Sequence, residues 1–150
     1  MIDTANILTG ALSQALETMA FMEILPMEED ASVPDETLCA EISFNGPQQQ
    51  GCIQIIVGRA FAETLAENIG ALDEVTEADC RDALQELANV TCGLVTPIIT
   101  SDLSEVYELT IPRIKDNEEV PTWETWAADP EACVLNVEEY MIAAKLTMDD

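Results

Sequence analysis

The 150-residue chain carries thirty acidic and five basic side chains, a formal net charge of −25, and no histidine. Such a charge repels phosphate backbones and anionic lipid surfaces, which argues against nucleic acid or membrane binding. The missing imidazole removes Ser–His and Cys–His nucleophiles and most zinc sites. Hydrophobic residues make up 48% of the sequence, enough for a core, and residues 1–150 read as one globular domain.

In chain order, Leu8, Ala11, Leu12, Ala15, Leu16, Met19 and Met22 form one stripe of an amphipathic helix over about Ala5 to Met22. Leu25 to Thr37, with two prolines and three adjacent acids, reads as a loop. Cys39–Phe44 and Cys52–Val57 read as strands of a hairpin turning at Asn45-Gly46-Pro47. A second helix spans Arg59 to Ile69 and ends at Gly70. Thr76 and Asp79 form a capping box that opens a third helix, expected to stop near Thr96 because Pro97 follows. Glu105–Ile111 alternates as a strand, a loop covers Lys115 to Glu131, and Cys133–Val137 and Tyr140–Met148 supply two more strands. Helices grouped before antiparallel hairpins predict an α+β fold, long helices packed on a mostly antiparallel sheet. The long first and third helices, each followed by strands, hint at an internal pseudo-duplication.

The longest apolar runs, CIQIIV and GLVTPII, fall far short of the roughly 18 to 20 residues needed to span a bilayer. MIDTANILTG has an acid at Asp3 and no basic cluster, so it does not read as a signal peptide, and cytoplasm is the expected compartment. The five cysteines include no CxxC pair and read as reduced, mostly buried thiols. No Gly-rich phosphate loop is present. The acids of Met27-Glu28-Glu29-Asp30 and Met148-Asp149-Asp150 lack calcium-loop spacing and read as solvated loop and tail. Most of the acidity reads as a solubilising surface, and a saline cytoplasm fits as well. Trp123 and Trp126 are expected to fold back over the core.

The third helix carries the chemistry. At about 100° per residue from Asp82, Glu86 lies near 40°, Asn89 near −20° and Gly93 near 20°. Leu84, Leu87, Ala88, Thr91, Leu94, Val95 and Ile98 fall between about 120° and 240°, the side that must face the core. An acid, an acid, an amide and a bare backbone therefore point away from the core. A hydrated helix face and a docking face both fit that geometry. At Gly93, close approach of a partner and tight helix–strand packing both fit.

Asp82-x3-Glu86-x2-Asn89, with Pro112 after 22 intervening residues, resembles the D/S-x3-E-x2-N-x22-P signature of the CheC, CheX and FliY chemotaxis phosphatases. Ala15–Met22 is similar to the first helix of that family and Gly51–Ile55 to its second strand. Ser13-x3-Glu17-x2-Ala20 repeats the spacing with alanine in place of the amide and no matching proline, so neither Ser13 nor Glu17 is assigned a role. One intact motif makes the chain resemble CheX, where CheC-like members carry two.

The resemblance implies dephosphorylation of a CheY-like response regulator at its phosphoaspartate. Asn89 would orient the attacking water, since an amide both accepts and donates hydrogen bonds without becoming charged. Glu86 would dock on the invariant lysine of the receiver. Asp82 would cap or brace the site, Pro112 would fix a strand end, and Gly93 would leave a notch. It also implies no cofactor or metal of the chain's own, Mg²⁺ being held by the receiver, and a homodimer with or without exchanged strands. A non-catalytic receiver-binding adaptor or scaffold of a signalling or flagellar complex is the alternative.

Overall fold

The computed structural model describes residues 3–27, 33–34, 36–47, 49–70, 73–100, 106–115 and 122–149. Glu28, Glu29, Asp30, Glu105 and Asp150, which entered the expectations above, lie outside the described residues. The elements are α1 (Thr4–Ala20), β1 (Ile24–Leu25), β2 (Thr37–Asn45), β3 (Gln50–Gly58), α2 (Arg59–Gly70) and α3 (Glu77–Ile99). They are followed by β4 (Glu108–Leu109), β5 (Arg113–Lys115), α4 (Trp123–Ala128), β6 (Cys133–Val137) and β7 (Tyr140–Asp149). The described residues build a seven-stranded antiparallel sheet in the order β1-β6-β7-β3-β2-β4, with β5 also on β2. The expected α+β architecture is what forms.

Period-2 alternation divides the sheet. Ala40, Ile42 and Phe44 of β2, Ile53, Ile55 and Val57 of β3, and Ile142, Ala144 and Leu146 of β7 face a core completed by α1, α2 and α3. Leu84 and Leu87 are fully buried there, and truncating either to alanine costs about 2–5 kcal/mol. The opposite face is covered in part by α4, whose Trp123 and Trp126 pack on Cys39, Ile56 and Ala143. The tryptophans are buried as expected, but over the reverse side of the sheet from the helices. Lys145 of β7 closes this cover by an ion pair of 2.8 Å to Asp129.

The expected strand Glu105–Ile111 is reduced, among its described residues, to the two-residue β4, because the chain bulges away from β2 after Leu109. Four further boundaries depart from expectation. α1 ends at Ala20 because Phe21 takes a left-handed conformation (φ 57°) whose amide bonds back to Leu16. Ile24 and Leu25, the latter the first residue of the expected loop, pair as β1 with β6. The expected loop after Lys115 contains α4. α3 runs through Pro97 to Ile99, since the carbonyl of Gly93 that loses its donor lies on the exposed side of the helix, open to water. Its buried stripe drifts round by the last turn, so Thr96 and Ile99 are buried while Ile98 is exposed. All five cysteines are free thiols, and burial pushes Cys39 and Cys92 up to about 12, leaving them unreactive.

Candidate active site

The first turn of α3 is fixed by the expected capping box. Thr76 Oγ1 accepts from the Asp79 amide at 3.1 Å, and the Thr76 amide donates to Asp79 Oδ2 at 2.9 Å. The backbone hydrogen bond from Thr76 holds the Asp79 carboxyl below its usual range. Capping is thus the work of Thr76 and Asp79; Asp82 lies inside the helix. From this start the core face takes Cys80, Ala83, Leu84, Leu87, Ala88, Thr91, Cys92 and Val95. Asp82, Glu86, Asn89 and Gly93 are consequently all exposed along the other side. Among the described residues the side chains of Glu86 and Asn89 make no hydrogen bond or ion pair, so their capacity is open to an external group.

The second wall comes from the sheet edge. Tyr107 packs edge-on to Phe44, ring centroids 5.9 Å apart, and covers Gly46, where any Cβ would overlap its ring. This anchors the chain as it enters β4. Leu109 then pairs with Phe44, whereas Arg113 pairs with Glu41. Three residues, Thr110, Ile111 and Pro112, therefore face only Ile42 and Ser43, which makes a β-bulge. Thr110 satisfies both backbone groups of Ser43, its amide donating to the carbonyl (2.9 Å) and its Oγ1 accepting from the amide (3.0 Å). Pro112 has no N–H to lose, which suits an interrupted edge.

Between helix and bulge lies an open cleft of about 560 Å³ lined by Asp82, Gln85, Glu86, Asn89 and residues Leu109, Thr110, Ile111 and Pro112. The structure thus brings Asp82, Glu86, Asn89 and Pro112 to one place. Gly93 lies along the same helix face but outside the lining. Two lining features were not read from the sequence. Gln85 donates from Nε2 to the Pro112 carbonyl at 2.9 Å, tying helix to bulge. Ile111 stands 86% exposed at the rim. Gln85 falls near −60° on the helical wheel, beside the polar line, and that flanking position was the only available signal.

Two sequence-level alternatives are decided here. A Cβ at Gly93 meets nothing within 4 Å, so tight packing does not explain the glycine. In α1, Ser13 and Glu17 reach the surface to different degrees, but Ala20 is fully buried and its carbonyl accepts from Asn68 at 2.9 Å. The echo of the motif in α1 therefore presents no counterpart of Asn89.

The chain as a whole is strongly anionic. Each of the five basic side chains is ion-paired with acids: Arg59 with Glu36 and Glu63, Arg81 with Glu77, Arg113 and Lys115 with Glu41, Lys145 with Asp129 and Glu131. Among the described residues no group of three or more Cys, Asp or Glu is placed to hold a metal ion, and no helix is long and apolar enough to cross a membrane.

The profile of the chemotaxis phosphatase CheX family matches residues 38–132, a span that holds both walls of the cleft. The chain belongs to the CheX family. Solved structures agree at the level of fold. CheX from Desulfovibrio desulfuricans superposes with a TM-score of 0.72 at 15% identity, covering 99% of this chain and 100% of that one. CheX from Vibrio vulnificus gives 0.72 at 14%, covering 99% and 97%. A complex of CheX with CheY, BeF₃ and Mg²⁺ from Borrelia burgdorferi gives 0.72 at 16%, covering all of both chains. Comparison with curated protein sequences finds no match.

Proposed function

We propose that this CheX-family chain is a phosphatase that removes the phosphoryl group from the aspartate of a CheY-like response regulator. The observation that carries the reading is Asn89, an unpaired amide exposed on the rigid α3, one turn from an equally free Glu86 and facing an open cleft. Acyl-phosphate hydrolysis passes through a loose transition state, so the attacking water must be placed in line more than deprotonated. Asn89 accepts from and donates to that water without changing charge. Placement of this kind supplies on the order of 10²-fold, about 3 kcal/mol. Glu86 pairs with the receiver's conserved lysine and so sets the reach of Asn89; an interfacial charge pair fixes register even where its net energy is small. Asp82 braces the face one turn earlier, and Pro112 shapes the wall without chemical part. Mg²⁺ belongs to the receiver, in keeping with the Borrelia complex, whose BeF₃ is the chemical stand-in for a phosphoryl group.

The chain works as a homodimer in this reading. The β1 edge, the end of the sheet among the described residues, lies beside Leu25, Met27 and a Phe21 that is 81% exposed, surface suited to a second copy and remote in sequence from the cleft. Light scattering of the purified protein tests it, and a monomer at micromolar concentration refutes it.

The deciding experiment follows decay of a phosphorylated receiver with wild type, Asn89→Ala and Glu86→Ala. Catalysis predicts acceleration by wild type, loss of hydrolysis with binding retained in Asn89→Ala, and loss of binding in Glu86→Ala. Binding by wild type without acceleration across several receivers favours the adaptor alternative, which has no use for the amide.

A further inference from the structure

We propose that Gln85 is a positioning residue for the cleft. By its hydrogen bond to the Pro112 carbonyl it holds the bulge as a fixed second wall, with Ile111 as the apolar seat on which the receiver rests. The inference rests on the function proposed above and extends it to recognition.

The edge next to the site is weak by construction. β4 has two residues and β5 three, and the bulge between them leaves three residues facing two. Tyr107 pins one end, and the Lys115–Glu41 pair of 2.7 Å pins the other. Thr110 is held by Ser43, whereas Pro112 has no amide and offers only its carbonyl. Gln85 takes that carbonyl from across the groove.

The bridge also partitions the groove. On one side is the 560 Å³ cleft with Glu86 and Asn89; on the other a cleft of about 400 Å³ holds Arg81, Arg113 and Ile114. Asp82, Gln85 and Pro112 line both. Losing the bridge merges the two spaces and frees the wall to move away from Asn89.

Ile111 supplies what the charge of the chain does not. With a net charge of −25 and every basic side chain already paired, Coulombic attraction for an acidic receiver is poor at this surface. A large aliphatic side chain 86% exposed at the rim attracts regardless of sign and of salt. Its place is set by the bulge, and the bulge by Gln85.

The test compares Gln85→Met, which keeps length but not the donor, with Gln85→Lys, which keeps a donor able to reach the carbonyl. Both are measured at about 0.5 M salt, where the added lysine charge is screened. Gln85→Met is expected to raise KM for the phosphorylated receiver about tenfold while kcat changes less than about threefold, and Gln85→Lys to restore KM. Ile111→Ser raises KM similarly, and the double variant with Gln85→Met is less than additive because both act through one seat. In the free protein, Gln85→Met speeds exchange of the Thr110 amide, which is bonded to the Ser43 carbonyl, about tenfold. A wild-type KM in Gln85→Met, a lysine variant as impaired as the methionine one, or unchanged exchange overturns the proposal. Failure of wild type to accelerate dephosphorylation instead refutes the function proposed above, and the exchange measurement still decides whether Gln85 holds the wall.

Discussion

Replacing Gly93 by alanine separates what is good for the helix from what is good for docking. Gly93 lies in the interior of α3, has no positive φ, and a Cβ built on it touches nothing within 4 Å. Alanine in a helix interior is about 1 kcal/mol more favourable than glycine, chiefly because the unfolded chain loses freedom. With no clash to offset it, that gain should appear in full, as a rise in Tm of about 2–4 °C for a chain of this size. If a receiver docks along this helix face as proposed, the methyl group intrudes between it and the helix backbone. Overpacking of this order costs about 1–3 kcal/mol, so kcat/KM falls about tenfold, mostly through KM. Thermal unfolding by circular dichroism gives the first quantity and receiver dephosphorylation the second. A lower Tm would refute the open notch; a higher Tm with unchanged kinetics would show that no partner uses it.

Dephosphorylation should accelerate as salt is added over the lower range, because a chain at −25 repels an acidic receiver until the charges are screened, and a rate falling steadily from the lowest salt refutes this. Glu41 gives a pH signature. Burial raises its carboxyl, but the hydrogen bond and charge of Lys115, with Gln54 and Arg113, outweigh that and hold it below the ordinary 4.5. A depressed carboxyl stabilises the fold above that value and loses its contribution as pH falls through the folded one. The Tm gap between wild type and Glu41→Gln should therefore narrow as pH falls below the ordinary 4.5, and a constant gap refutes the ion-pair account. Glu138 and Glu139 form the two-residue β6–β7 turn with φ of 50° and 83°, a conformation suited to Asn-Gly. Glu139→Gly should raise Tm, by relief of about 1 kcal/mol of strain, since the hydrogen bond to Asn136 Oδ1 comes from the backbone and survives. No rise means the turn is not strained.

What the sequence discloses here is what depends on neighbours in sequence. The Thr76–Asp79 cap, the mostly apolar run of Cys133–Val137 and the 3.6-residue stripe of α3 are local patterns, and each forms where expected. The outward line of Asp82, Glu86 and Asn89 follows from that stripe. Features set by distant partners were hidden. β1 is a strand only because Val137 and Asn136 lie beside it. The bulge at Thr110–Pro112 exists through the register of Leu109 and Arg113 on β2, and that register depends on residues some 70 positions earlier. Gln85 looked like any surface residue because its partner, Pro112, lies 27 positions on. Pro97 misled because a proline near the end of an exposed helix face breaks little.

Ala20 bears on the stoichiometry. With that position buried and its carbonyl taken by Asn68, α1 presents no second motif, so the proposed function places one reaction centre on the described surface of each polypeptide. Titration with a receiver locked in its phosphoryl-like form should saturate at one equivalent per chain, with independent sites in any higher assembly.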